Sequence, residues 1–277
     1  LIHPAGGICW GYRRLTGALQ TDRPVFGVQA PGLDPDRFLP NSIDDLANGY
    51  ATLIADRTPT GLIHLGGWSV GGLLAQAVAV RLRAMGRQVG LVALLDAYPA
   101  ECWRDEPEPT EAEALKALLA IAGYDPEGYP HLDTRAKVIA FLRDGDSALG
   151  NLPHAVQDGV IRVVLDTNRL VRAHHHAQYD GTLTHVRAAE DHKDRPDLQP
   201  ELWLDHAAAL DRIDVPFLHP ELPGEGASAM IGPMLAAALM GALRPESIFL
   251  PTAPPHFLRG TPKKSPRRPP ARLAGPG

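Results

Sequence analysis

The chain has 277 residues, a net charge of −5 at neutral pH and 44% apolar residues, enough to bury one sizeable core and too acidic for nucleic acid to be the expected partner. No apolar run approaches the roughly 18 residues of a membrane span, and nothing reads as a signal peptide. Its two cysteines, Cys9 and Cys102, give neither a disulfide framework nor zinc spacing, which fits a reducing cytoplasm.

In chain order, Leu1-Ile2 reads as part of a strand, without an initiator Met, as in a piece cut from something longer. His3-Pro4-Ala5-Gly6-Gly7 follows as loop chemistry. Leu62 to Gly66 is a short buried strand, Gly67-Trp68-Ser69-Val70-Gly71 a sharp turn, and Leu73 to Leu82 a helix. Val89 to Leu95 is a continuous apolar run of the kind found in parallel, doubly covered strands, and it ends at Asp96. Helical periodicity then takes over, at Glu111 to Ala122, Thr134 to Arg143 and Val156 to Ala177, after the acidic, proline-broken entry Asp105 to Pro109. Strand-like runs return at Leu183 to Ala188 and Ile213 to Leu218, followed by His219, a Pro/Gly-rich loop and a helix over Ala227 to Leu243. The alternation predicts an α/β domain over residues 1–243, with a helical insertion over about 100–177. The segment from Arg244 to Gly277 has seven Lys/Arg against one acid; basic, proline-rich and poor in apolar residues, it is expected to be a disordered tail.

Between two glycines at a strand-to-helix turn, Ser69 has the small neighbours that a strained, exposed nucleophile needs. A serine hydroxyl is a weak nucleophile at neutral pH, so a histidine must take its proton and a carboxylate must orient that histidine. Asp96, at the carboxyl end of the next strand, falls on the same sheet edge as Ser69. Asp191 and Asp194, after a later strand-like run, are rivals. Of the twelve histidines, His174-His175-His176 reads as a solvated helix face. His219 and His256 lie late enough in the chain to act as base. His219 follows a strand and precedes a helix, whereas His256 sits in the tail, so the need for a rigid mount favours His219. Acyl transfer also needs donors for the oxyanion, at about 3 kcal/mol each; one should be the N–H of Val70, the residue after the nucleophile.

At these residues the chain resembles a known family. His3-Pro4-Ala5-Gly6-Gly7, Gly67-Trp68-Ser69-Val70-Gly71-Gly72, Leu94-Leu95-Asp96 and the late His219 look like the terminal thioesterase domain of nonribosomal peptide synthetases and polyketide synthases, over residues 1 to about 243. The resemblance implies an α/β-hydrolase fold, a mostly parallel central sheet flanked by helices with a helical lid. It implies Asp96 rather than Asp191 as the acid, His219 rather than His256 as the base, and Ala5 as the second oxyanion donor. It implies a substrate carried as a thioester on the phosphopantetheine arm of a carrier domain, released by hydrolysis or macrocyclisation, with no cofactor or metal in the domain itself. A stand-alone editing thioesterase and a general carboxylesterase share the triad; Trp68 and the fragment-like start favour the terminal domain. A non-catalytic hydrolase-fold interaction module is the alternative of another class.

Overall fold

The computed structural model describes residues 1–241 and 246–249, apart from Phe38, Gly123, Asp125, Asp146, Ser147 and Asp194. In chain order its helices and strands are α1 (Arg13–Ala18), α2 (Ile43–Arg57), β1 (Ile63–Trp68), α3 (Val70–Ala84), β2 (Val89–Leu95), α4 (Glu111–Ile121), α5 (Arg135–Asp144), α6 (His154–Ala173), β3 (Tyr179–Ala188), β4 (Ala207–Val215), α7 (Glu225–Leu239) and β5 (Glu246–Phe249). The sheet order is β1-β2-β3-β4-β5. The first four strands are parallel, and β5 runs antiparallel to β4, pairing Glu246 to Phe249 with Arg212 to Ala209. Beyond β1, single parallel bridges join Ile2 to Gly67 and to Val28.

Strands covered on both faces must be apolar along their whole length, and β2, Val-Gly-Leu-Val-Ala-Leu-Leu, meets that requirement. On one face α2 and α3 pack with Ile2, Leu65, Leu74, Val78, Tyr50 and Trp203 in a single cluster. On the other, α1 and α7 enclose Tyr12, Leu15, Leu95, Val186, Val215 and Ile231. The helices between β2 and β3 form a third cluster of their own around Leu115, Leu118, Val138, Leu142 and Ile161. Two of them, α4 and α5, start where a threonine cap directs. Thr110 closes a capping box with Glu113 at α4, and Thr134 accepts the Lys137 N–H at α5.

Three expectations change. The folded body does not stop at residue 243, because the open edge of β4 takes up β5 over Glu246–Phe249, a segment expected to belong to the disordered tail. His256 and the rest of the tail from 250 lie outside the described residues, as does Asp194. Strand β4 begins at Ala207, well before Ile213. Its alanines have low strand propensity, but pairing with β3 and burial outweigh that. Helix α6 ends at Ala173 rather than running to residue 177. His174-His175-His176 is therefore no solvated helix face. His174 is buried, and the His176 ring accepts from Ala100 N–H at 3.1 Å and hydrogen-bonds Gln76 at 2.9 Å. Burial keeps His176 far below the usual imidazole range and therefore neutral.

Candidate active site

Because β1, β2 and β3 are parallel and in register, Trp68, Leu95 and Val186 lie side by side. The next residues of the first two strands, Ser69 and Asp96, both turn into positive φ, 57° and 48°. Ser69 N–H donates to Leu95 O at 3.0 Å and Asp96 N–H to Val186 O at 2.7 Å, so each turn is tied to the neighbouring strand. The serine turn closes tightly onto α3. A Cβ on Gly67 would lie 2.1 Å from the carbonyl carbon of Gly71, and one on Gly71 would lie 2.5 Å from Ile2 O. That is the physical reason for the Gly-x-Ser-x-Gly spacing. Val70 is the first residue of α3, so its N–H has no acceptor within the helix and lies at the helix's positive end.

Asp96 is buried, and its carboxylate collects four donors. Oδ2 accepts from His219 Nδ1 and from His192 Nε2, both at 2.7 Å. Oδ1 accepts from Ala188 N–H and from the Tyr98 hydroxyl, both at 3.1 Å. Burial alone would raise this carboxyl group. The hydrogen bond and electrostatic attraction of His219, with the bonds from His192 and Ala188, outweigh burial and hold it well below the usual carboxylate range. Burial and the adjacent Asp96 charge push the Tyr98 phenol far up, so it stays a donor.

His219 opens a short 3-10 turn after β4 and is fixed from three sides. Its ring meets Asp96, and its own N–H donates to Asp191 Oδ2 at 2.8 Å. Its carbonyl accepts from Trp68 Nε1 at 3.1 Å, the two rings lying 5.1 Å apart. The residue before the serine thus anchors the loop that carries the histidine. Asp191, a rival for the triad acid in sequence, is occupied with backbone. Its Oδ1 takes the His192 N–H at 2.8 Å, and with Oδ2 on His219 it braces the two loops against each other.

Ser69, Trp68, Pro4, Ala5, Ile121 and Pro220 line one cleft of about 980 Å³, walled on its far side by the insertion. Ala5 is held there from behind. The Tyr50 hydroxyl donates to His3 Nε2 and His3 Nδ1–H donates to Pro4 O, each at 2.7 Å. Burial pushes the His3 ring down to about 4, so it is neutral. A second, apolar cavity of about 610 Å³ is lined by Phe26, Leu53, Leu62 and Leu65 and does not reach Ser69.

All five residues named from sequence lie at this edge. The structure brings Asp96 into contact with His219, and Ser69 with Ala5 into one cleft. His192 and Tyr98 were missed. The only signal for His192 was its place just past β3, on the same edge of the sheet. Among the described residues, Asp96, His192 and His219 are the group whose ligand atoms, all within 4.8 Å, could hold a metal ion. The two nitrogens stand at N–H···O distance from one oxygen, a hydrogen-bonded arrangement; a bound ion would have to displace both protons.

A thioesterase domain family model matches residues 1–210. The chain is 34% identical over 241 residues to a dimodular nonribosomal peptide synthase of Bacillus subtilis (strain 168), covering 86% of this chain and 10% of that protein. It is 27% identical over 248 residues to enterobactin synthase component F of Escherichia coli (strain K12), covering 86% of this chain and 17% of that one. The chain therefore spans a small fraction of the length of these relatives. Among solved structures, the wild-type Vlm2 thioesterase domain superposes with a TM-score of 0.68 at 20% identity, covering 84% of this chain and 91% of that domain. This likeness and the mostly parallel, helix-flanked sheet identify the α/β-hydrolase fold. No helix among the described residues is long and apolar enough to cross a membrane.

Proposed function

The chain belongs to the thioesterase domain family, and we propose that it releases a peptidyl or acyl chain from a carrier-bound thioester through an acyl-enzyme on Ser69. The observation that carries this reading is the 2.7 Å contact between Asp96 Oδ2 and His219 Nδ1, at the sheet edge where Ser69 occupies its strained turn. With Nδ1–H committed to Asp96, the lone pair of His219 is on Nε2, the nitrogen a general base uses. Ser69 Oγ attacks the thioester carbonyl as its proton passes to Nε2. The oxyanion is met by the N–H groups of Val70 and Ala5, each worth about 3 kcal/mol in such sites. Collapse breaks the C–S bond, and the His219 proton goes to the departing sulfur. Water, or a nucleophile on the bound chain, then attacks the ester, giving its proton to His219, which returns it to Ser69 Oγ as the C–O bond breaks.

The carrier is proposed to present the thioester on a phosphopantetheine arm, as the relatives' place within peptide synthases suggests. The domain itself needs no cofactor for these steps. The unpaired Cys9 and Cys102 suit a reducing, cytoplasmic setting. The test is intact-mass labelling with a fluorophosphonate. The expected result is one adduct on Ser69, lost in Ser69→Ala, slowed by about 10⁴-fold in Asp96→Asn and by about 10⁶-fold in His219→Ala, the losses found when a triad acid or base is removed. An adduct that persists in Ser69→Ala rejects the assignment.

A further inference from the structure

We propose that His192 is a positioning residue for the Asp96–His219 pair, holding the carboxylate in place independently of the histidine it orients. The inference rests on the reading of Ser69, His219 and Asp96 given above. Its basis is that His192 Nε2 and His219 Nδ1 both reach the same oxygen, Asp96 Oδ2, at 2.7 Å. A carboxylate orients an imidazole better when bonds from elsewhere hold it in place. Without His192, the sole short bond to Asp96 would be the one from His219, and the carboxylate would be held otherwise only through Oδ1. The two bonds to Oδ1, from Ala188 N–H and Tyr98, are longer, at 3.1 Å.

The surroundings of His192 point the same way. Its backbone sits at φ 59°, a conformation a non-glycine residue keeps only where its surroundings over-determine it. Asp191 supplies part of that restraint through the His192 N–H, while its other oxygen holds the His219 N–H. The Tyr98 ring stands edge-on to the His192 ring at 5.2 Å. The side chain is 13% exposed, and its Nε2 is committed to Asp96 Oδ2. It is therefore placed to act on Asp96.

Two substitutions separate positioning from mere packing. His192→Gln keeps an N–H at the reach of Nε2; His192→Leu removes the donor. On the whole chain, the rate of fluorophosphonate acylation of Ser69 is expected to fall on the order of tenfold in the Leu variant and to recover to within about threefold in the Gln variant, the scale seen when an outer hydrogen-bond partner is lost or kept. For a thioester substrate the loss should be in kcat with KM unchanged. In proton NMR, the downfield resonance that disappears in His219→Ala should shift in His192→Leu, because its acceptor oxygen is no longer shared. Acylation of His192→Leu at the wild-type rate, an unmoved His219 proton, or equal losses of rate and stability in both variants overturns the proposal and leaves the triad intact. If His219→Ala acylates as fast as wild type, the triad reading falls as well.

Discussion

Where β1, β2 and β3 end, three non-glycine residues lie at positive φ, Ser69, Asp96 and His192; the described residues of the helices between β2 and β3 contain none. The two regions also differ in what holds them. The sheet edge is fastened by buried, directional hydrogen bonds, four on the Asp96 carboxylate alone. The insertion is fastened by apolar packing around Leu118 and Leu142, with exposed ion pairs such as Lys116–Glu127 outside it. Surface pairs of this kind contribute between nothing and about 1 kcal/mol. Strain survives only where several bonds over-determine a position. Apolar packing instead tolerates exchange of side chains of similar volume. One domain can thereby hold its reactive groups fixed while the far wall of the cleft, lined by Ala117, Ala120, Ile121 and Ala148, accepts changes of side chain.

The most severe test of that contrast is at the turn. Gly67→Ala drives a methyl group to 2.1 Å from the Gly71 carbonyl, and it should abolish either the fold or Ser69 labelling. The same change at Gly49 in α2, where nothing lies within 4 Å, should stabilise the chain by up to about 1 kcal/mol. A Gly67→Ala protein that melts and labels like wild type would show that the turn is not strained.

Next in size is Leu118→Ala, which empties a fully buried position in the insertion and should cost about 2–5 kcal/mol. Labelling of Ser69 by a small fluorophosphonate should survive while KM for a long acyl thioester rises. Equal loss of both activities would mean that the two regions are one cooperative unit.

The gentlest perturbation, which needs no substitution, is a pH slope. Burial pushes His3 and His185 down to about 4, whereas in the unfolded chain an imidazole titrates near about 6.5. Between those values the unfolded chain binds more protons, so stability is full above pH 6.5 and falls as pH drops toward 4. Asp96, held low, adds its loss only below the ordinary carboxylate value of about 4. Urea midpoints measured across this range should show the slope. His185→Gln, which keeps the donor to Ala97 O, should make it shallower, with His3 keeping its share.

Much of this was legible from residue order because the deciding constraints are local. A serine between glycines after an apolar run can occupy few backbone conformations, and Asp96 ends an unbroken apolar strand. Strand β4 was harder to place, since Ala207 to Ala209 are strand residues only by virtue of β3 beside them. His192 gave no motif at all. It stands 96 residues from Asp96 in sequence, and only the closing of β3 onto β2 makes them neighbours.

The turn at Ser69, the strand that delivers Asp96 and the α/β alternation follow from residue order alone, because glycine sterics and apolar runs act within a few residues. The tertiary structure decided which acid meets which histidine. Asp96 and Asp191 are chemically alike, and both follow strands. The parallel register of β2 and β3 puts the Asp96 carboxylate against the rings of His219 and His192, while Asp191 reaches only their backbone N–H groups. That outcome depends on how the strand ends line up across the sheet, a relation that no short stretch of residues contains.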